Sequence, residues 1–382
     1  MLKLCFVLTS PLVLNHYLLN HLKKLAENYR VTVCINADEV PVSSRLDPRV
    51  SLINLPITRQ VNLYNDLSVL FRLIRFFQTE RFDAVHSLTP KGGLLGMIAA
   101  LIAQIPVRTH SFTGQVWATR SGVSRYLLKS MDKILARCAT HLNADSYSQV
   151  KFLQQEKVTG NTPIHVFGAG SISGVDVVRF SANPSRRQET RQQLDIPKNT
   201  TVFLFLGRMN HDKGIKELSE AFVRLHSHHQ KIHLIFVGRD EQNMIPAIQT
   251  ICRNCMDSVS IIGLTPEPER YIDAADVLCL PSYREGFGSS IIEAAAMGVP
   301  SIASRIYGIT DAIVEGKTGL LFAPGNIDEI QLAMQTMLDE TIRKNLSNYA
   351  QERAKRDFSA ERITQDWLDY YAAVLNQPKK LQ

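Results

Sequence analysis

The chain has 382 residues, 45% hydrophobic and 21% charged, with a formal net charge of +7. At about 100–200 residues per domain this length predicts two domains, each able to bury its own core. A mean hydropathy near zero and six scattered cysteines exclude a disordered, collagenous or disulfide-stapled protein.

No stretch of about 18 apolar residues runs without polar interruption, so no transmembrane helix is expected. The nearest candidate, 92–107, contains Gln104 and Pro106 and reads as a buried helix. The opening LKLCFVLTSPLVLNHYLL has the apolarity of a leader peptide. It carries one lysine, is broken by Thr9, Ser10, Asn15 and His16, and lacks a small-residue cleavage site, so a strand, a loop and a helix are expected. The cysteines lie mostly in apolar contexts, as reduced thiols of a cytoplasmic protein would. Cys252 and Cys255 form a lone C-x-x-C with no second pair to complete a zinc site. His226, His228, His229 and His233 read as a wet helix end rather than a metal centre. No Asp-x-Asp triplet occurs, so no metal–diphosphate site of that kind and no cofactor are expected.

Charge is uneven. Residues 1–180 hold 20 Lys and Arg against 11 Asp and Glu, a net of +9, whereas the remainder has a net of −2. The first half therefore calls for an anionic partner: membrane lipid, a diphosphate or nucleic acid. No recognised nucleic-acid module is visible, and nucleic acid is set aside.

Strands and helices alternate in chain order. The apolar run 2–8 predicts a strand, 14–29 a helix, and 31–35 and 50–55 two strands. Residues 66–80 are helical, with Leu67, Leu70, Phe71, Ile74 and Phe77 at three- and four-residue spacing. Then come strand 82–86, helix 92–104, strand 107–112 and helix 121–139. The second half repeats the scheme: strand 201–207, helix 213–226, strand 232–238, helix 243–255, and short apolar runs at 259–263, 277–281 and 300–303. Such alternation implies parallel sheets with helices on both faces. The Gly- and Ser-rich GAGSISGVDVVRFSANPSRR at 168–187 marks the boundary. The expected domains are 1–180 and 181–357, followed by a tail helix, 358–382, with Trp367, Tyr370, Tyr371 and Val374 on one side.

The strongest chemical signal is E-G-F-G-S-S-I-I-E at 285–293, which follows one strand and opens a helix. Gly286 and Gly288 let backbone approach a ligand closely. The N–H groups of Ser289 and Ser290 open the helix, where an anion such as a diphosphate is stabilised. Glu293, one turn in, can accept both ribose hydroxyl protons of a nucleotide, and Glu285 can reach the sugar end. The second signal is Gly207-Arg208 at a strand end, with Lys213-Gly214 five residues on. Arg208 can hold a diphosphate bidentately and Lys213 adds a point charge.

These residues resemble family 4 of the retaining glycosyltransferases, of GT-B fold: two Rossmann-like α/β domains with parallel sheets facing a central cleft. The resemblance rests on G-R-x-x-x-x-K-G at 207–214, S-I-I-G at 260–263 and A-D-V-L-C-L-P-S at 275–282. It continues through E-G-F-G-x-x-x-x-E-A at 285–294 and E-G-K-T-G-L-L-F at 315–322. G-V-D-x-x-x-F at 174–180 is similar to the family's domain junction. In the first half, H-S-L-T-P-K-G-G from His86 and F-T-G-Q-V-W-A-T from Phe112 resemble bacterial members that build capsular, O-antigen or exopolysaccharide units on a polyprenyl-diphosphate-linked acceptor at the inner membrane face. Many members carry a His before the glycine corresponding to Gly114, whereas Thr113 stands here, with His110 nearby.

The resemblance implies a nucleotide-sugar donor, with uridine diphosphate the expected carrier. Arg208, Lys213 and Glu285 are assigned to catalysis. Gly207, Gly263, Gly286, Phe287, Gly288, Ser289, Ser290 and Glu293 are assigned to the donor, and Ser10, His86, Lys91, His110, Thr113 and Gly114 to the acceptor side. The tail helix is expected to cross back to the first domain. A cytoplasmic enzyme, peripheral on the inner membrane face, follows from the same resemblance. The basic, apolar-flanked segments 70–82 and 120–137 would meet anionic lipid. An epimerase or phosphorylase on the same fold and a non-catalytic binding subunit remain the alternatives. A dehydrogenase does not fit, because the first strand runs into Thr9-Ser10-Pro11 with no G-x-G-x-x-G.

Overall fold

A computed structural model describes residues 1–38, 40–58, 60 and 62–376. The chain divides into two compact units: Met1–Gly174 with the segment from Ala360 onward, and Val175–Ser359.

In the first unit, β1 (Lys3–Val7) leads through α1 (Pro11–Val13) and a wider π-helical turn (Leu14–Leu18) into α2 (Leu19–Asn28). There follow β2 (Arg30–Ile35), β3 (Ser51–Asn54), α3 (Leu63–Glu80), β4 (Ala84–Leu88), α4 (Pro90–Ile102) and β5 (Val107–Phe112). The unit continues with α5 (Gly122–Cys138), β6 (His141–Ala144), α6 (Tyr147–Gln155) and β7 (Ile164–Val166). The strands form one parallel sheet in the order β3-β2-β1-β4-β5-β6-β7. Alternation along β1 sorts the core. Cys5 and Val7 join Leu73, Phe77 and Met97 beneath α3 and α4, while Leu4 and Phe6 join Leu22 and Leu25 of α2 on the other face. That second face is also covered by the terminal helix (Ala360–Leu375), whose Trp367 stacks on Phe167 at 4.8 Å and on His21 at 5.2 Å. The Trp367 indole N–H donates to the Ile172 carbonyl at 3.0 Å.

The second unit opens with α7 (Pro184–Gln193), capped by Asn183, whose side chain accepts from Arg186 N at 3.0 Å. It proceeds through β8 (Thr201–Leu206), α8 (Ile215–His226), β9 (Ile232–Val237), α9 (Ile245–Ile251), β10 (Val259–Ile262), α10 (Pro268–Ala274) and β11 (Val277–Leu280). Then come α11 (Ser289–Ala296), β12 (Ser301–Ser304), α12 (Ile309–Ala312), β13 (Gly319–Phe322), α13 (Ile327–Thr336) and α14 (Glu340–Asp357); the terminal helix of the first unit is α15. The sheet is parallel, in the order β10-β9-β8-β11-β12-β13.

The junction lies at Gly174/Val175, six residues before the boundary expected from composition. Val175 N donates to Phe358 O at 2.7 Å, and Arg179 pairs with Glu269, which binds 175–180 to the second unit. Strands β6 and β7 escape the sequence pattern: H-L-N-A and I-H-V are too short and polar to stand out. Among the described residues, no helix is long and apolar enough to cross a membrane. The cysteines are buried free thiols, Cys252 and Cys255 included.

Candidate active site

In an open parallel sheet, ligands bind where consecutive connections leave to opposite sides, because the strand-end loops diverge there. In the second unit that point is between β8 and β11, next to each other in the sheet but far apart in the chain. The loop after β8 carries Gly207 to Gly214, and the loop after β11 carries Pro281 to Gly288.

Glycines bring these loops together. Gly214 has φ +65, and a Cβ there would lie 2.1 Å from the Pro281 carbonyl oxygen. Tyr283 N donates to Asp212 O at 2.8 Å, and Arg284 Nη2 to Asp212 Oδ2 at 2.9 Å. Across this seam Lys213 Nζ donates to Glu285 Oε1, which also accepts from Ser282 Oγ at 2.8 Å. Both partners of the ion pair are largely buried. Arg208 is more open, 46% exposed, and pairs with Glu241 Oε2 at 2.9 Å.

Beyond Glu285 the chain turns into α11. Gly308, φ +84, lets the start of α12 press on this turn; a Cβ there would lie 2.5 Å from Gly286 O. Gly288, φ +77, is the N-cap of α11 and offers no side chain to the first-turn N–H groups. Ser289 and Ser290 are half-buried, so this end of α11 is a partly open cluster of donors. Phe287, assigned to the donor from the motif, has a buried side chain: it is 2% exposed and packs edge-on against Phe358 at 5.2 Å, which leaves its backbone as the part that could face a ligand.

Glu293 lies one turn into α11. Its surroundings desolvate it and push its pKa up to about 7; nearby Arg179 opposes the shift and Glu269 adds to it. Arg179 and Glu269, paired at 2.9 Å, were not singled out from sequence. The available signal was the unspecified stretch inside G-V-D-x-x-x-F, which contains Arg179. Gly263 closes β10, and a Cβ there would meet no atom within 4 Å, so this strand end is open.

The first unit has its own switch point, between β1 and β4. Thr9 Oγ1 and Thr89 Oγ1 are 2.7 Å apart there, and Gly92 N donates to Thr9 Oγ1 at 3.2 Å. Ser10 is buried and caps α1 through Leu12 N. Lys91 pairs with Asp66 at 2.6 Å. Thr113 is half-buried after β5, and Gly114, φ +105, turns the chain beside it.

Two acceptor-side expectations need correction. His86 is buried within β4; Nδ1 meets Tyr371 OH at 2.6 Å, Nε2 meets Ser111 Oγ at 2.8 Å, and the ring stacks on Trp367. His110 is buried with Nδ1 on Ser87 Oγ at 2.8 Å, and burial lowers its pKa to about 3. Both are neutral core histidines. A central parallel strand is covered on both faces, so polar residues in it need internal partners.

The basic stripe expected on 120–137 also changes. Arg125 and Lys129 both pair with Glu156, at 2.7 and 2.5 Å, and lie 5.1 and 5.6 Å from the Trp117 ring centroid. They hold Trp117, whose indole N–H donates to Asp132 at 2.7 Å.

Residues 186–355 match the family model "Glycosyl transferases group 1", and residues 14–170 match "Glycosyl transferase 4-like domain". The chain is 30% identical over 325 residues to the capsular polysaccharide biosynthesis glycosyltransferase CapM of Staphylococcus aureus, covering 85% of each chain. It is 24% identical to the UDP-Gal:alpha-D-GlcNAc-diphosphoundecaprenol alpha-1,3-galactosyltransferase of Escherichia coli, over 87% of this chain and 86% of that one. In fold it is similar to sucrose-phosphate synthase from Thermosynechococcus elongatus, with TM-score 0.82, 19% identity, and 98% and 100% of the two chains covered. Anabaena HepE in complex with UDP-glucose gives a TM-score of 0.79, also at 19% identity and with 98% and 100% covered. Two parallel Rossmann-like sheets, each with a switch point, and a 30% identical relative across most of its length lead to one conclusion: the chain belongs to the family 4 glycosyltransferases of GT-B fold.

Proposed function

We propose that this glycosyltransferase moves a hexosyl or N-acetylhexosaminyl group from a uridine diphosphate sugar to a polyprenyl-diphosphate-linked glycan, with retention at the anomeric carbon, in surface polysaccharide synthesis. The observation that carries the donor side is the meeting of Lys213 and Glu285 at the β8/β11 switch point, beside the N-terminus of α11, whose glycine cap contributes no side chain. The acceptor class rests on the E. coli relative, whose name specifies a diphosphoundecaprenol-linked acceptor.

In this reading Arg208, Lys213 and the α11 N–H groups stabilise charge that grows on the leaving diphosphate. The acceptor oxygen bonds to the anomeric carbon on the face from which the diphosphate oxygen departs. The hydroxyl proton passes to that departing oxygen, so no protein base is needed. Glu285 orients the sugar and Glu293 the ribose. No metal enters the scheme, and transfer is expected to persist in excess chelator; loss on chelation restored by magnesium or manganese would overturn that part.

The enzyme would work on the cytoplasmic face of the membrane. Helices α3 and α5, flanking α4, turn apolar side chains to solvent: Leu67 and Phe71 on α3, and Val123, Tyr126, Leu127 and Met131 on α5. Arg72, Arg75 and Arg137 are exposed beside them. A basic, apolar surface of this kind suits an anionic bilayer.

The test is a panel of nucleotide sugars offered with a polyprenyl-diphosphate-linked acceptor. Acceptor-dependent release of nucleoside diphosphate with the anomeric configuration kept is expected. Conversion of the donor without acceptor would favour an epimerase instead.

A further inference from the structure

Arg208 lies against a carboxylate that the donor reading leaves unused. Glu241 Oε2 accepts from Arg208 Nη1 at 2.9 Å and from Asn210 Nδ2 at 3.1 Å. Its backbone is fixed. Gly238 lies so near Gly207 that a Cβ would stand 1.9 Å from the Gly207 carbonyl oxygen. Met209 N donates to Arg239 O at 2.8 Å, and Glu241 N donates to Met209 O at 3.0 Å. Asp240 then accepts from Met244 N and Ile245 N at 2.8 and 3.0 Å, which locks the turn that follows. Glu241 is therefore a fixed, mostly buried anion facing a cation that is 46% exposed.

We propose that Glu241 is the counter-ion that Arg208 exchanges for the donor's diphosphate. It is a positioning residue that holds Arg208 when the site is empty and reclaims it as nucleoside diphosphate leaves. This rests on the donor-site reading of Arg208. An ion pair with one partner this exposed is weak, and a diphosphate brings more charge and bidentate geometry, so the exchange runs toward bound donor. Asn210 stays on Glu241 when Arg208 departs, which keeps the carboxylate aimed and partly satisfied. The nearby negative charge opposes retention of the product diphosphate and speeds its release.

The experiment is calorimetric titration of the full chain with UDP, and with GDP in parallel, for wild type, Glu241→Gln, Arg208→Ala and the double variant. The glutamine retains an oxygen for Asn210 while removing the charge and one acceptor. Arg208→Ala should weaken binding, and Glu241→Gln should tighten it about three- to tenfold, by loss of competition and repulsion at short range. Most of that gain should be lost in the Arg208→Ala background, because competition acts through Arg208 and only the direct repulsion remains. Product inhibition by the same nucleotide should strengthen in Glu241→Gln by a similar factor. Unchanged or weaker binding in Glu241→Gln, with Arg208→Ala still impaired, would overturn this inference and leave the donor site standing. Unchanged binding in Arg208→Ala, or no binding of either nucleotide by wild type, would overturn the donor reading and this inference with it.

Discussion

Lys213 and Glu285 are 72 positions apart in the chain, yet the ammonium of one donates to the carboxylate of the other. They meet because β8 and β11 are neighbours at the point where the sheet's connections reverse. In this pair each neutralises the other. In the proposed reaction a diphosphate arriving there would meet a cation that is already partly satisfied, and would gain most when its own charge rises during bond cleavage. Lys213→Ala should therefore lower kcat by about 10²-fold while raising the donor KM less than about tenfold. Steady-state kinetics with varied donor decide it. A raised KM at unchanged kcat would mean that Lys213 binds ground state and transition state alike.

Glu293 predicts a pH dependence with two readouts. Its folded-state pKa is about 7, against 4.5 for the free side chain. Between those values the folded chain holds the proton more tightly than the unfolded chain. Stability from this group is thus fully present below about pH 4.5 and is lost as pH rises through about 7. Glu293→Gln should remove that part of the Tm-versus-pH slope and leave the protein more stable than wild type at pH 8. UDP affinity should move the opposite way, rising with pH over the same interval, because the carboxylate form accepts the ribose hydroxyls. Glu293→Ala should cost roughly ten- to a hundredfold in affinity, from charge-assisted bonds worth about 1.5–3 kcal/mol. Equal UDP affinity in wild type and variant would remove Glu293 from the nucleotide site.

Gly214 and Gly316 form a matched pair. Both have positive φ, +65 and +70, but a Cβ at Gly214 would stand 2.1 Å from Pro281 O, whereas at Gly316 it would meet nothing within 4 Å. Gly316→Ala should cost about 1 kcal/mol, the conformational penalty alone. Gly214→Ala should cost at least about 1–3 kcal/mol more, because two backbone loops must part. Chemical denaturation midpoints measure both. Equal losses would mean that the β8 and β11 loops are not pressed together in solution.

The proposed membrane surface gives a prediction that sequence alone would have aimed at other residues. Arg125 and Lys129 are engaged with Glu156 and Trp117, so neutralising them should destabilise the fold around Trp117. Replacing Leu67, Phe71 and Leu127 with Ser should instead reduce sedimentation with anionic vesicles while sparing UDP affinity. Neutralising Arg72 and Arg75 should weaken binding at low salt by about 1 kcal/mol each, an effect that fades as salt screens it. Equal sedimentation of wild type with neutral and anionic vesicles, or none with either, would exclude this docking face.

Much of the molecule follows from the sequence by itself. Alternating short apolar runs and helical periodicity determine two parallel α/β sheets, because strands covered on both faces must be continuously apolar. The glycines and charges at 207–214 and 285–293 mark the proposed donor site, since close backbone approach and anion stabilisation need those residue types next to strand ends. What tertiary structure decided is which side chains are free to act. His86 and His110 stand in polar-looking segments, yet the sheet buries both and gives their ring nitrogens internal partners. Phe287 lies inside the glycine motif and turns inward onto Phe358. Arg179, Glu269 and Glu241 carry no local pattern and acquire their significance from the partners that folding brings to them. The physical reason is that periodicity reports burial along one element, whereas charge pairing and desolvation depend on residues tens of positions away that only the packed chain brings within a few ångströms.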